Sequence, residues 1–288
     1  MLAPHIPTGL GAIAGPYDAT LCDIWGVIHN GRESFQGACA ALQRFQRERG
    51  PVVLISNSPR PSPDVIAQMQ ALGVPDDAWS ALVTSGDVTR TLLAAQAPGP
   101  AWAIGPERDA SLYEGLGLRF TGPETASFIS CTGPVDDDVE TPEDYRRALS
   151  VAARRNLLMI CANPDRIVQR GDKLIYCGGA LAELYETLGG AVVMAGKPHA
   201  PIYNAALTAA DRLAGRAIPR KRVLAIGDGL STDIAGANRQ GLDVLFIAGG
   251  VHAADVAAPR GGLNSGALGD ALGKDRLDAA YALAALAW

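Results

Sequence analysis

VLAIGDG (223–229), STDIAGANRQG (231–241) and DVLFIAGG (243–250) follow one another almost without interruption. The outer two are short apolar runs closed by glycine and polar residues, the pattern of strands buried on both faces. The middle one has helical periodicity, so the stretch predicts strand, helix, strand. The same alternation extends outward. Further strands are expected at ATLCDIWG (19–26), VVLISNS (52–58), ALVTSG (81–86) and VVMAGKP (192–198). Helical patterns lie between or after them at ACAALQRFQRER (38–49), SPDVIAQMQALG (62–73) and PIYNAALTAADRLAG (201–215). Such alternation predicts an α/β doubly wound parallel sheet, whose ligands sit beyond the C-terminal ends of the strands.

Between about 90 and 190 the pattern changes. AWAIG (101–105), SFISCTG (127–133), the acidic turn PVDDDVETPEDY (134–145), a helix over 143–155 and LLMICANP (157–164) suffice for a second, inserted α/β domain. The expected division is 1–89, 90–190 and 191–288, with the insert between two parts of one core.

Composition narrows the classes of function. Of 288 residues, 48% are apolar and 19% charged, enough for a packed core and no case for disorder. Lys+Arg 25 against Asp+Glu 30 gives −5 with no basic run, which argues against nucleic acid as partner. The terminal apolar stretch LDAAYALAALAW (277–288) is shorter than the roughly 20 residues of a membrane span. MLAPHIPTGLGAIAGPYD (1–18) lacks the basic region of a secretion signal, so a cytoplasmic location is expected. Cys22, Cys39, Cys131, Cys161 and Cys177 form no Cys-x-x-Cys pair and read as buried small hydrophobes.

Polar residues at the strand ends carry the chemistry. Asp23 closes the first strand, Ser56 and Asn57 the second, Lys197 follows VVMAG, and Asp228 and Asp233 lie in IGDGLSTD. Singly, each has an ordinary reading as a cap or turn residue. Jointly, a parallel sheet would gather them at one edge. Asp23 and Asp228 offer hard oxygen ligands for Mg²⁺. An aspartate is also a competent nucleophile toward phosphorus, while a lysine ammonium and a serine hydroxyl hold phosphoryl oxygens. Lys197 is one of only four lysines in a chain that otherwise uses arginine.

The ordered set CDIWGV, LISNS, an insert of about 100 residues, GKP and GDGLSTD resembles the haloacid dehalogenase (HAD) superfamily, specifically its class IIA sugar- and nucleotide-phosphatase-like members. TSGDVT (84–89) is placed like that family's segment before the cap. CANPD (161–165) resembles its cap loop, and CGGALAELYETLGG (177–190) its helix returning to the core. The resemblance implies that Asp23 is nucleophile and metal ligand, with the Trp25 main-chain carbonyl also on Mg²⁺. It implies that Ser56 and Lys197 hold the phosphoryl group, and that Asp228 and Asp233 complete the metal site. Asn57, Asn163, Asp165 and the Trp25 ring are then expected around the substrate.

One departure matters. Phosphatases of this superfamily carry a second aspartate two residues after the nucleophile as general acid and base; here that residue is Trp25. His29 is a candidate replacement, against the plainer reading of a loop histidine at the pocket rim. Trp25 itself either packs between core and insert or lines the pocket. His199 and His252 read as surface or cap residues, and Asp136 to Asp138 as a solvated turn.

The expected function is a Mg²⁺-dependent phosphatase acting on a small phosphorylated metabolite, with a homodimer through the insert as a further expectation. The alternative is a weakly active or non-catalytic phosphometabolite-binding protein, which Trp25 favours. Carbon–halogen hydrolysis also uses an aspartate nucleophile without the second aspartate, but needs no metal and leaves Asp228 and Asp233 unexplained.

Overall fold

A computed structural model of the chain describes residues 3–170, 173–249, 256 and 262–288. It forms two compact units: Met1–Ser56, Ile66–Val83 and Tyr203–Trp288 make the first, Asn57–Val65 and Thr84–Ile202 the second. The second unit therefore takes in 57–65, 84–89 and 191–202 as well as the 90–190 expected from sequence. His252 lies outside the described residues. No helix among the described residues is long and apolar enough to cross a membrane.

The first unit is built on a six-stranded sheet. Its strands, counted along the whole chain, are β1 (Ala19–Cys22), β2 (Val52–Ser56), β3 (Ala81–Thr84), β10 (Val223–Gly227), β11 (Asp243–Ile247) and β12 (Tyr281–Leu283). Their order is β12-β11-β10-β1-β2-β3, and β1 lies parallel to both β10 and β2. From this central pair the chain builds outward in opposite directions, so the topological switch point falls between β1 and β10. Both central strands are wholly buried, as their unbroken apolar runs require. Thr20 is the polar exception in β1, and its hydroxyl donates to the Leu224 carbonyl at 2.8 Å. Helix α1 (Gln36–Glu48) turns Ala38, Ala41, Leu42 and Phe45 inward, at the three- and four-residue spacing of one helical face. The edge strand β12 lies inside the stretch that composition marked only as apolar; three residues are too few to show a strand period.

The second unit holds a parallel four-stranded sheet in the order β4-β5-β6-β9. It comprises β4 (Ala101–Ile104), β5 (Phe128–Cys131), β6 (Leu158–Cys161) and β9 (Ala191–Met194). An antiparallel pair, β7 (Ile167–Arg170) with β8 (Lys173–Tyr176), stands apart from it. Here the structure corrects the sequence. VVMAGKP was expected in the sheet of Asp23, but its strand β9 pairs with β6, Leu158 opposite Ala191. A four-residue apolar run states that a strand exists, not which sheet it joins; long-range packing decides that. CGGALAELYETLGG likewise forms a helix (Gly178–Thr187) of the second unit rather than a return to the first.

Candidate active site

Asp23 and Asp228 stand one residue beyond the ends of adjacent strands β1 and β10, where Cys22 pairs with Ile226. The Asp23 N–H donates to the Ile226 carbonyl at 2.8 Å, carrying the ladder one residue further. Asp233 comes from the turn Leu230–Ile234, in which the N–H groups of Asp233 and Ile234 both donate to the Gly229 carbonyl, at 2.9 and 3.1 Å. All three carboxylates are buried, and each places an oxygen within 4.8 Å of the others. Three buried carboxylates this close could hold a cation between them. An all-oxygen carboxylate set suits a hard divalent ion such as Mg²⁺. Ser56 ends β2, whose Leu54 pairs with Cys22, so Ser56 lies at the same sheet edge.

Two neighbours that the sequence reading missed shape this cluster. At Gly26, where φ is +83°, a Cβ would fall 2.1 Å from Asp228 Oδ2, so only glycine lets the chain turn against that carboxylate. Tyr203, fully enclosed, donates its hydroxyl to the Asp233 main-chain carbonyl at 3.1 Å. Asp233 Oδ2 also accepts from the Gly229 N–H at 3.1 Å.

Trp25 is 53% exposed rather than packed away, and its ring meets His29 edge-on with centroids 5.2 Å apart. It lines a cleft of about 400 Å³ in the first unit, together with Gly26, Phe35, Asp228, Ile247 and Leu286. His29 is no rim residue: it is 2% exposed, and its Nδ1 accepts the Gly31 N–H at 3.1 Å. Burial lowers its pKa, and the accepting Nδ1 assigns the proton of the neutral ring to Nε2.

In the second unit four more of the expected residues meet. Asn57 accepts the Lys197 N–H on its side-chain oxygen at 2.6 Å, and its amide donates to the Lys197 carbonyl at 3.1 Å and to Asp165 Oδ1 at 3.0 Å. Asn163 Oδ1 accepts the Asp165 N–H at 3.1 Å, which closes the turn after β6. Lys197 is 2% exposed, so it is not a solvated surface lysine. TSGDVT begins a helix whose N-terminus is closed by reciprocal bonds between Thr84 and Asp87. The acidic run is not wholly solvated either, because Asp137 is only 9% exposed and pairs with Arg108. All five cysteines are buried free thiols.

Comparison with known proteins agrees with this geometry. The model of the haloacid dehalogenase-like hydrolases matches residues 20–119, and a HAD-hydrolase-like model matches 194–263. A solved haloacid dehalogenase-like hydrolase from Brucella suis is 48% identical, with a TM-score of 0.84 over 98% of this chain and 100% of that one. The D-glycerol 3-phosphate phosphatase of Mycobacterium tuberculosis is 28% identical over 84% of this chain, which spans 66% of that protein's length. The 5'-nucleotidase YutF of Bacillus subtilis is 24% identical over 82% of this chain and 88% of its own. Aspartates at the switch point, the inserted α/β domain and a relative of nearly half identity over the whole length have one common explanation: the chain belongs to the haloacid dehalogenase-like hydrolases.

Proposed function

We propose that this protein is a Mg²⁺-dependent phosphoric monoester hydrolase for a small phosphorylated metabolite, of the sugar- or nucleotide-phosphate kind. The three buried carboxylates at the β1/β10 switch point carry the reading. Asp23, Asp228 and Asp233, with the Trp25 main-chain carbonyl, are the residues that would hold the metal. A bound Mg²⁺ would supply positive charge to the phosphoryl oxygens.

Asp23 is the nucleophile. One of its carboxylate oxygens bonds to phosphorus while the ester P–O bond breaks, and the bonding pair leaves with the ester oxygen, which takes a proton from water. A second water then bonds to phosphorus, the bond to Asp23 breaks, and inorganic phosphate departs with the carboxylate restored. Ser56 and Lys197 bind phosphoryl oxygens, and Asn57 fixes the backbone from which Lys197 projects. Asn163, Asp165 and Trp25 contact the rest of the substrate. A cytoplasmic location and a homodimer through the insert belong to the same proposal.

Trp25 supports a second reading, a protein that binds phosphometabolites and turns them over weakly or not at all. Phosphate release from a panel of phosphate esters, with and without Mg²⁺, in wild type and Asp23→Asn, separates the two. Mg²⁺-dependent release that Asp23→Asn abolishes is expected. Binding without release from any ester overturns the hydrolase reading.

A further inference from the structure

The second unit has a pocket of its own, of about 180 Å³, beyond the C-terminal ends of β4 and β5. Gly105, Glu107, Asp109, Tyr113 and Thr132 line it. Asp109 is 4% exposed and Thr132 3%. Among the described residues, Thr132 Oγ1 is the buried side-chain polar atom with no hydrogen bond of normal geometry, although Asp109 is near enough to sense it. A Cβ at Gly105 would fall 1.9 Å from that oxygen, so the glycine keeps the hydroxyl uncovered. The Tyr113 hydroxyl is taken up by Ser130 at 3.1 Å, which leaves its ring as an apolar wall.

A buried carboxyl beside a buried unsatisfied hydroxyl is costly unless something completes their hydrogen bonds. At about 30 Å³ per water-sized group, the pocket admits a fragment of a few heavy atoms. We propose that it binds the hydroxyl-bearing end of the substrate, a ligand hydroxyl donating to Asp109 and accepting from Thr132.

Burial raises the pKa of Asp109 and so works against a charge there, which suits a hydroxyl partner, while Arg108, paired with Asp137, and Arg60 act in the opposite direction. The pocket also shares a sheet edge with Lys197. From β5 to β9 is two strand spacings, about 10 Å, so a phosphate held by Lys197 and a hydroxyl held here are bridged by roughly six carbons. The substrate role thus rests on the hydrolase reading; occupancy of the pocket does not.

Two measurements on the full chain test the inference. The kcat/KM ratio of 6-hydroxyhexyl phosphate to hexyl phosphate is expected to exceed one by about tenfold in wild type, and to fall toward one in Thr132→Val and Asp109→Ala. A ratio near one in wild type, or one that both variants leave intact, overturns the inference. NMR titration with hexane-1,2,6-triol needs no turnover. Saturable shifts at the Gly105, Asp109 and Thr132 amides, lost in Thr132→Val, are expected; their absence means that the pocket holds water only and overturns it too. If no ester is hydrolysed while the triol binds, the hydrolase reading fails and the polyol pocket stands.

Discussion

Asn57 grips Lys197 by both of its main-chain polar groups, accepting its N–H at 2.6 Å and donating to its carbonyl at 3.1 Å. A side-chain amide is the group of this size that presents donor and acceptor in one plane. The remaining amide hydrogen goes to Asp165 at 3.0 Å, so one side chain ties together the loops after β2, β6 and β9. If Lys197 binds phosphate as proposed, Asn57→Ala is expected to lower kcat/KM for p-nitrophenyl phosphate about 100-fold, since small displacements of a positioned group are that costly. It should also destabilise the fold by about 1–3 kcal/mol through buried groups left unpaired. Kinetics and urea melts check both. Wild-type kinetics in Asn57→Ala would show that Lys197 does not depend on this grip.

Asp228 holds its place in the carboxylate cluster with Gly26 turned directly against it. Asp228→Asn keeps the shape and removes one negative charge. Mg²⁺ titrated calorimetrically should bind at least about tenfold more weakly to the variant, as a charged ligand is worth more than a neutral one to a hard cation. Equal affinities would remove Asp228 from the metal site.

Gly26→Ala tests the same place from the other side. Its Cβ would lie 2.1 Å from Asp228 Oδ2 on a backbone at φ +83°. A strained backbone of this kind costs about 1–3 kcal/mol, and the clash must push the carboxylate or the turn aside. Both stability and Mg²⁺ affinity should therefore fall together. A variant that loses neither would show that the turn has slack.

The carboxylate cluster and its neighbours also show what is legible in the sequence. The convergence of Asp23, Asp228 and Asp233 is legible because a parallel sheet gathers strand ends, and two of them directly follow short, wholly buried strands. Lys197 was identified as a residue of interest but assigned to the wrong sheet, since AVVM has nothing local that prefers β10 over β6. Tyr203 and Gly26 carried no signal at all. A tyrosine inside a helix pattern reads as core, and a glycine after a tryptophan reads as a turn. Their roles exist only through partners about 30 and 200 residues distant. Of the two readings open for His29, the rim residue fails, because its burial is produced by the turn that folds Gly31 back onto it.

Asp18 gives the fold a pH dependence of its own. Arg222 and Arg216 each donate to its carboxylate at 2.6 Å, and these bonds hold its pKa well below the ordinary aspartate range. A depressed folded-state pKa means that the stabilisation is complete above about pH 4, the unfolded value, and is lost as pH falls below it. Both arginines are substantially exposed, so solvent screening limits the contribution to about 1 kcal/mol. Urea unfolding of wild type and Asp18→Asn should differ by that amount at pH 7 and by progressively less as pH falls from about 4 to about 2. A gap of the same size at both ends of the range would assign the difference to packing.

Trp25 should make turnover depend steeply on the leaving group. In a loose phosphoryl-transfer transition state, charge builds on the departing oxygen. A positioned acid relieves it and is typically worth about 10²–10⁴-fold, or roughly 3–5 kcal/mol of barrier. Position 25 offers an indole instead, and the enclosed His29 already uses Nδ1 to accept from Gly31. Alkyl phosphates, with basic leaving oxygens, should therefore be slow, and aryl and acyl phosphates, which leave as stabilised anions, fast. Trp25→Asp should raise alkyl turnover more than aryl. A failed gain would not decide the matter, because removing the indole also empties one wall of the cleft. The wild-type rate across esters of graded leaving-group pKa is the cleaner measurement. A flat line, with chemistry shown to be rate-limiting, means that another acid is at work. His29→Ala is then the variant to make: a return of the steep slope would identify Nε2 as its source, and a slope that stays flat would clear the histidine of the role.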